Sequence, residues 1–253
     1  MTPRAKPKRS RQSDRDENKS DRYLRVMAPA TADRQYRVSR RRDRIERVIN
    51  VTIALVGLVV TAPLWLAIAI LIKLTSRGPV FYAQTRIGLN TRATEPSAPD
   101  PRRQQDLGGR PFTIHKFRTM TAEAESGSGP VWASRDDPRV TTFGRILRQL
   151  RLDELPQLIN VIMGDMNIVG PRPERPSLFA ELRRQIPDYP LRQRTRPGIT
   201  GHAQVNLEYD SSVDDVRTKL RYDLEYIERR SLLTDLKIMI KTIPVILFRR
   251  GGW

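Results

Sequence analysis

VINVTIALVGLVVTAPLWLAIAILI, Val48–Ile72, is 25 residues without a charge, in a chain of 253 that carries 46 Lys+Arg and 28 Asp+Glu. A bilayer's hydrocarbon core needs about 20 apolar residues in a helix, so the run reads as a membrane segment. A deeply buried helix of a soluble domain is its competitor. Pro63 lies inside the run, where a proline removes one helical hydrogen bond and presses on the preceding turn. Cations flank both ends: Arg40, Arg41, Arg42, Arg44 and Arg47 before, Lys73 and Arg77 after. Basic flanks favour the cytoplasmic side. The pattern therefore predicts a re-entrant helix-break-helix over residues 44–77, broken at Pro63 and entering and leaving by one face. A simple span with a tolerated proline kink is the alternative.

Charge narrows the partners. The formal net charge is +18, and residues 1–47 hold 16 Lys+Arg against 7 Asp+Glu, half of the excess. Such a chain suits anionic lipid, nucleic acid or phosphorylated substrates. Residues 1–43 are rich in Arg, Lys, Ser, Asp and Pro and read as a disordered basic arm without a cleavable signal pattern. Cysteine is absent, which excludes a disulfide framework and a thiolate zinc site. His115 and His202 alone supply neither a histidine metal cluster nor a Ser-His-Asp triad. Carboxylates and lysines are left to carry chemistry.

Residues 78–253 read as a cytoplasmic α+β domain, mostly helical. GPVFYAQTRIG and RPFTIHKFRTM have strand character and predict a small β-hairpin across the polar, Pro-rich residues 91–110. In the second strand Phe112, Ile114 and Phe117 are expected to face inward, with Lys116 and Arg118 toward solvent or a ligand. Residues 126–130, SGSGP, read as a loop, and RDDPR at 135–139 is expected to open a helix through FGRILRQL, with Arg145 and Arg148 on one face. VGPRPERP is a stiff, extended turn that presents Arg172 and Arg175. RPGITG repeats the recipe with Arg196, and a charged helix follows over Asp214–Arg230. The C-terminal segment, in which apolar residues surround Asp235, Lys237 and Lys241 before Arg249, Arg250 and Trp253, fits an amphipathic interfacial helix with its cations toward lipid headgroups. An ordinary core helix competes.

RLDELPQL, Arg151–Leu158, places Asp153 and Glu154 at the start of a short apolar helix expected to end near Met163, with Gly164 as its cap. The bland reading is helix capping. Capping does not exclude reactivity, and a capping carboxylate is expected to be the reactive one as well, because Arg145, Arg148 and Arg151 precede the pair and Arg172 and Arg196 follow it on stiff turns. Several arginines on rigid turns beside helix N–H groups are what a phosphate site requires. The same cations favour the ionised form of two adjacent acids.

This ordered set of motifs resembles the bacterial sugar transferases, in particular the small monotopic polyprenyl-phosphate phosphoglycosyl transferases. The likeness runs from Arg44 to Phe248. It rests on RIG at Arg86–Gly88, KFRTM at Lys116–Met120, DPRVT and FGR between Asp137 and Arg148, LDELPQL through VGPRPE at Leu152–Glu174, RPGITG at Arg196–Gly201, and YIERRSLLTDLKIMIKT. The resemblance implies a re-entrant anchor in the inner membrane, a cytoplasmic active site and transfer of sugar-1-phosphate from a UDP-sugar to polyprenyl (undecaprenyl) phosphate. It makes Asp153 the nucleophile and Glu154 the Mg2+ ligand. The covalent aspartyl-phosphosugar would form with release of UMP. Lys116, Arg118, Arg148, Arg172, Pro173 and Arg196 are the candidate substrate contacts, and membrane lipids, not nucleic acid, are the expected surroundings. Residues 91–110 are longer than the family's turn after RIG, the arm is an addition, and His202-Ala203-Gln204 stands where the family often has an aromatic residue and Gln. The competing reading is a non-catalytic membrane scaffold whose basic arm binds nucleic acid or lipid.

Overall fold

The computed structural model describes residues 40–90, 108–121, 124, 137–207 and 212–247. Most of the basic arm, residues 91–107 of the long polar segment, the loop 126–130 and the C-terminal Arg249, Arg250 and Trp253 lie outside them.

The apolar run sits in one helix, α1 (Arg40–Thr75), of 36 residues. At 1.5 Å per residue it is about 54 Å long. Its most apolar window has a mean hydropathy of 2.6 and is only 11% buried. Pro63 lies inside α1 and does not end it, so the expected separation into two helices is absent. A proline deletes one i→i−4 bond, and the rest of a long helix can persist around it. Asn50, Ala54, Ile68 and Ile72 form its buried stripe, at helical spacing. Leu55, Val56, Val59, Val60, Leu66, Ile70 and Leu74 are exposed on its other sides.

The hairpin is present: β1 (Phe81–Ile87) pairs antiparallel with β2 (Pro111–Phe117), Phe81 opposite Phe117 and Ile87 opposite Pro111. Side chains alternate along a strand, so Phe112, Ile114 and Lys116 share one face and Phe117 takes the other. Phe112 and Ile114 pack with Ala54 of α1, Val161 and Met166. Phe117 instead joins Ile68, Ile72 and Leu147 on the opposite side, with Trp65 edge-on at 5.3 Å. The expectation that Phe117 shares the face of Phe112 is corrected by this parity. It also turns Lys116 inward.

Next come α2 (Thr142–Gln149), a 3-10 turn at Leu152–Glu154, and α3 (Gln157–Met163). Helix α2 starts at Thr142 rather than at RDDPR, because Thr141 caps it by accepting from the Gly144 N–H. Gly164 ends α3 with φ 96, as expected of a left-handed cap. The remaining elements are β3 (Asn167–Val169), α4 (Pro176–Gln185), a 3-10 segment at Tyr189–Arg194, β4 (Gly198–Thr200), α5 (His202–Asn206), α6 (Val213–Arg229) and α7 (Leu232–Leu247). Strands β3 and β4 pair in parallel, and a Cβ on Gly198 would collide with the backbone N of Gly170. Glycine there lets VGPRP and RPGIT lie against each other. Helix α6 starts in a capping box between Ser212 and Asp215. Helix α7 exposes Leu232, Leu233, Leu236, Ile240, Ile243 and Leu247 while burying Ile238.

Candidate active site

Asp153 and Glu154 occupy the 3-10 turn and are 7% and 5% exposed. The turn springs from Arg151, whose φ of 53 is the only positive value at a non-glycine among the described residues. Neither acid caps α3, whose N-cap position is Pro156, without a side-chain bond. The capping reading is therefore corrected: the tight turn and Pro156 stand between the pair and the helix.

Three cations converge on Glu154. Lys116 Nζ is 2.8 Å from its Oε1, Arg172 Nη2 donates to the same oxygen at 2.6 Å, and Arg151 Nη1 is 3.7 Å from Oε2. Lys116 also lies 3.6 Å from Asp153 Oδ2. Arg148 donates from Nε to Thr119 Oγ1 at 2.8 Å and adds positive charge near Asp153. Of the expected contacts, Lys116, Arg148 and Arg172 are thus gathered at the pair.

The two acids are pushed apart electrostatically. Burial raises the pKa of Asp153, Lys116 pulls it back and Glu154 raises it further, leaving it above the ordinary aspartate value. Burial also pushes Glu154 up, but Arg172, Lys116 and Arg151 more than offset it and hold it well below the usual carboxylate range. Glu154 is the settled anion of the pair, and Asp153 is the one whose charge depends on its surroundings.

Arg118 and Arg196 go elsewhere. Arg118 is buried and donates to the carbonyls of Ser76 at 2.9 Å and Arg77 at 2.7 Å, tying down the chain just after α1. Arg196 donates from Nε to Gly164 O at 3.1 Å, at the end of α3 away from the pair. Carbonyls at and just past helix C-termini lack intrahelical donors and draw guanidinium groups, which accounts for both placements. Pro173 is buried, and its carbonyl accepts from Arg86 Nη1 at 3.1 Å.

Two supports were missed by sequence reasoning. Asn160, fully buried in α3, donates to Thr113 O at 2.6 Å and accepts from His115 N–H at 3.1 Å. Its amide completes the free edge of β2 and fixes the register that delivers Lys116 to the acids. An asparagine inside the apolar LINVIM was the available signal, because a buried amide must find partners. The second support is Arg192, which donates to Arg172 O at 3.0 Å while paired with Glu174 at 3.2 Å and Asp223 at 2.8 Å. Those partners lie 18, 20 and 31 residues away, so no local pattern reveals them.

Among the described residues no cluster of three or more His, Cys, Asp or Glu could cage a metal ion. Mg2+ needs no such cage when one or two carboxylates and substrate phosphates hold it. Asp153 and Glu154 meet that requirement only with a phosphorylated ligand present.

Comparisons with known proteins identify the family. The profile of the family described as bacterial sugar transferase matches residues 41–249. The chain is 41% identical over 208 residues to UDP-N-acetylgalactosamine-undecaprenyl-phosphate N-acetylgalactosaminephosphotransferase of Aeromonas hydrophila, covering 82% of this chain and 45% of that protein. It is 41% identical over 207 residues to UDP-glucose:undecaprenyl-phosphate glucose-1-phosphate transferase of Caulobacter vibrioides, covering 81% and 70% respectively. Against the exopolysaccharide production protein ExoY of Sinorhizobium fredii it is 36% identical over 222 residues, covering 82% and 88%. The chain thus spans less than half of the first of these relatives and most of the other two. The apolar run of α1 and the whole site from Lys116 to Arg172 fall within the matched residues, and the chain belongs to the bacterial sugar transferase family.

Proposed function

We propose that this chain is a phosphoglycosyl transferase that moves a sugar-1-phosphate from a UDP-sugar to undecaprenyl phosphate. The observation that carries the reading is the buried Asp153–Glu154 pair, its two pKa values displaced in opposite directions within a ring of cations. An Asp153 carboxylate oxygen attacks the sugar-bearing phosphorus, forming an O–P bond. The bridging P–O bond breaks, and UMP leaves with its electron pair. An oxygen of the lipid phosphate then attacks the same phosphorus and expels the Asp153 carboxylate unchanged. Lys116 and Arg172 sit where charge on the transferring oxygens can be offset. When bound to Glu154 and the donor's diphosphate, Mg2+ would neutralise further phosphate charge. The relatives' names carry different sugars, N-acetylgalactosamine and glucose. Purified protein with Mg2+, undecaprenyl phosphate and a panel of UDP-sugars should release UMP with at least one of them; silence across the panel would count against the reading.

The pH dependence has a defined sign. Removing Lys116 takes away the leading cation that lowers the pKa of Asp153, so that pKa rises. In Lys116→Met the acid limb of kcat/KM for UMP release should therefore move to higher pH as well as lose amplitude. An acid limb in the wild-type position would show that Asp153 is not the titrating group.

The same reading places the enzyme on the cytoplasmic face of the inner membrane, with α1 bent at Pro63 within its continuous run so that it enters and leaves by that face. What supports this is that both halves of α1 meet one domain. Near its start, Arg47 donates to Val161 O and Ile162 O, and Asn50 Oδ1 accepts from Ile168 N–H. Near its end, Ile68 and Ile72 pack on Phe117 and Leu147. A helix spanning roughly 30 Å of hydrocarbon would separate those flanks. Cysteines placed at Arg44 and Arg77 should both react with an impermeant reagent applied to the cytoplasmic face; reaction from opposite faces would establish a span.

A further inference from the structure

A cavity of about 150 Å³ lies beside the acids, walled by Leu155, Leu158, Ile199, Val205, Val245 and Ile246. Among the described residues, Arg151 and Glu154 are the charged ones that line it. Its volume is close to that of an apolar protein cavity that stays dry and admits benzene or xenon, about the room needed by one short hydrocarbon unit. The wall on one side is α7, whose Thr242 hydroxyl is 2.8 Å from that of Thr200 on β4, closing one side of the cavity. Another flank of α7 carries the exposed leucines and isoleucines Leu236, Ile240, Ile243 and Leu247.

Resting on the transferase reading, we propose that this cavity is the acceptor subsite: it takes the hydrocarbon next to the phosphate of the polyprenyl phosphate, and Arg151 holds that phosphate. Charge and shape both select this occupant. A nucleotide sugar offers such walls no more than a methyl group, whereas a lipid phosphate presents an anion followed at once by a run of hydrocarbon. Arg151 lines the cavity together with Glu154, and its Nη1 is 3.7 Å from Glu154 Oε2, so its guanidinium joins the apolar walls to the acids. Its backbone, at φ 53 and ψ 20, is in the left-handed region that non-glycine residues seldom adopt. Such strain is retained where the surrounding structure needs a side chain in one place. Helix α7, lying on lipid by its exposed flank, brings the cavity to the membrane surface from which the acceptor must come.

The test is steady-state kinetics on the full chain in nanodiscs, with donor and acceptor varied separately. Val245→Trp fills the cavity and should raise the acceptor KM about tenfold, well beyond any change in donor KM. Arg151→Asn keeps a residue that tolerates the left-handed region and removes the guanidinium; it should raise the acceptor KM by a similar factor. Melting temperatures within a few degrees of wild type would show both variants folded. Equal rises in the two KM values, or an unchanged acceptor KM in both variants, would overturn the subsite. Wild-type protein that releases no UMP from any UDP-sugar would overturn the transferase reading itself, a separate outcome.

Discussion

Asp153→Asn should lower UMP release by about 10⁴-fold or more, the scale on which removal of a catalytic nucleophile acts. The substitution is nearly isosteric in a 7%-exposed position and removes a charge that burial already disfavours. The folded protein should therefore be at least as stable as wild type, and loss of activity cannot be assigned to unfolding. Intact-mass analysis after mixing with donor alone should show a phosphosugar adduct on the wild type and none on the variant. Turnover within tenfold of wild type would remove Asp153 from the chemistry.

Arg192→Met should cost about 3–5 kcal/mol, as expected when one partner leaves a buried ionic cluster. Arg192 is 3% exposed, lies over the Tyr189 ring at 4.9 Å, and is shared by Glu174 and Asp223. Burial pushes Glu174 up, but Lys219, Arg192 and Arg86 more than offset it, so its pKa sits below the ordinary value. That depressed pKa contributes stability above the unfolded carboxylate value and loses it as pH falls through the folded one. Asp223 remains raised by burial even with Arg192 in place. Without Arg192 both carboxyl groups resist ionisation more strongly. The deficit should then be largest near neutral pH and shrink toward acid, where the variant's carboxyl groups protonate. Thermal unfolding in detergent at neutral and acid pH measures it; equal melting temperatures at neutral pH would show that the cluster contributes nothing net. Arg172 adds a catalytic readout, since its carbonyl loses the Arg192 donor that positions it over Glu154.

Legibility followed the range of the interactions. The apolar run of α1, the hairpin and the Gly164 cap that ends α3 are set by hydropathy and by residues next to one another, and they stand where the sequence put them; the break at Pro63 and the start of α3 at the acids do not. Lys116 reaches the acids, the ligand side of its expected placement, and Phe117 is buried as expected but in a different apolar layer from Phe112, which strand parity requires. Two apolar layers, one on each face of β2, allow both Lys116 and Phe117 to be covered. Arg118 and Arg196 look in sequence like Arg148 and Arg172. Their hydrogen bonds to Ser76, Arg77 and Gly164 give them anchoring roles instead.

By itself the sequence determined the membrane-type helix, the basic character, the absence of thiol chemistry and the carboxylate pair with its family likeness. These follow from composition and from residues near one another along the chain. Only the tertiary structure decided which cations serve the pair and which acid is held ionised. It also decided that both halves of α1 rest on one domain and that an apolar cavity opens beside the acids. Each of these depends on contacts between segments tens of residues apart, where desolvation and charge act through space and leave no local pattern to read.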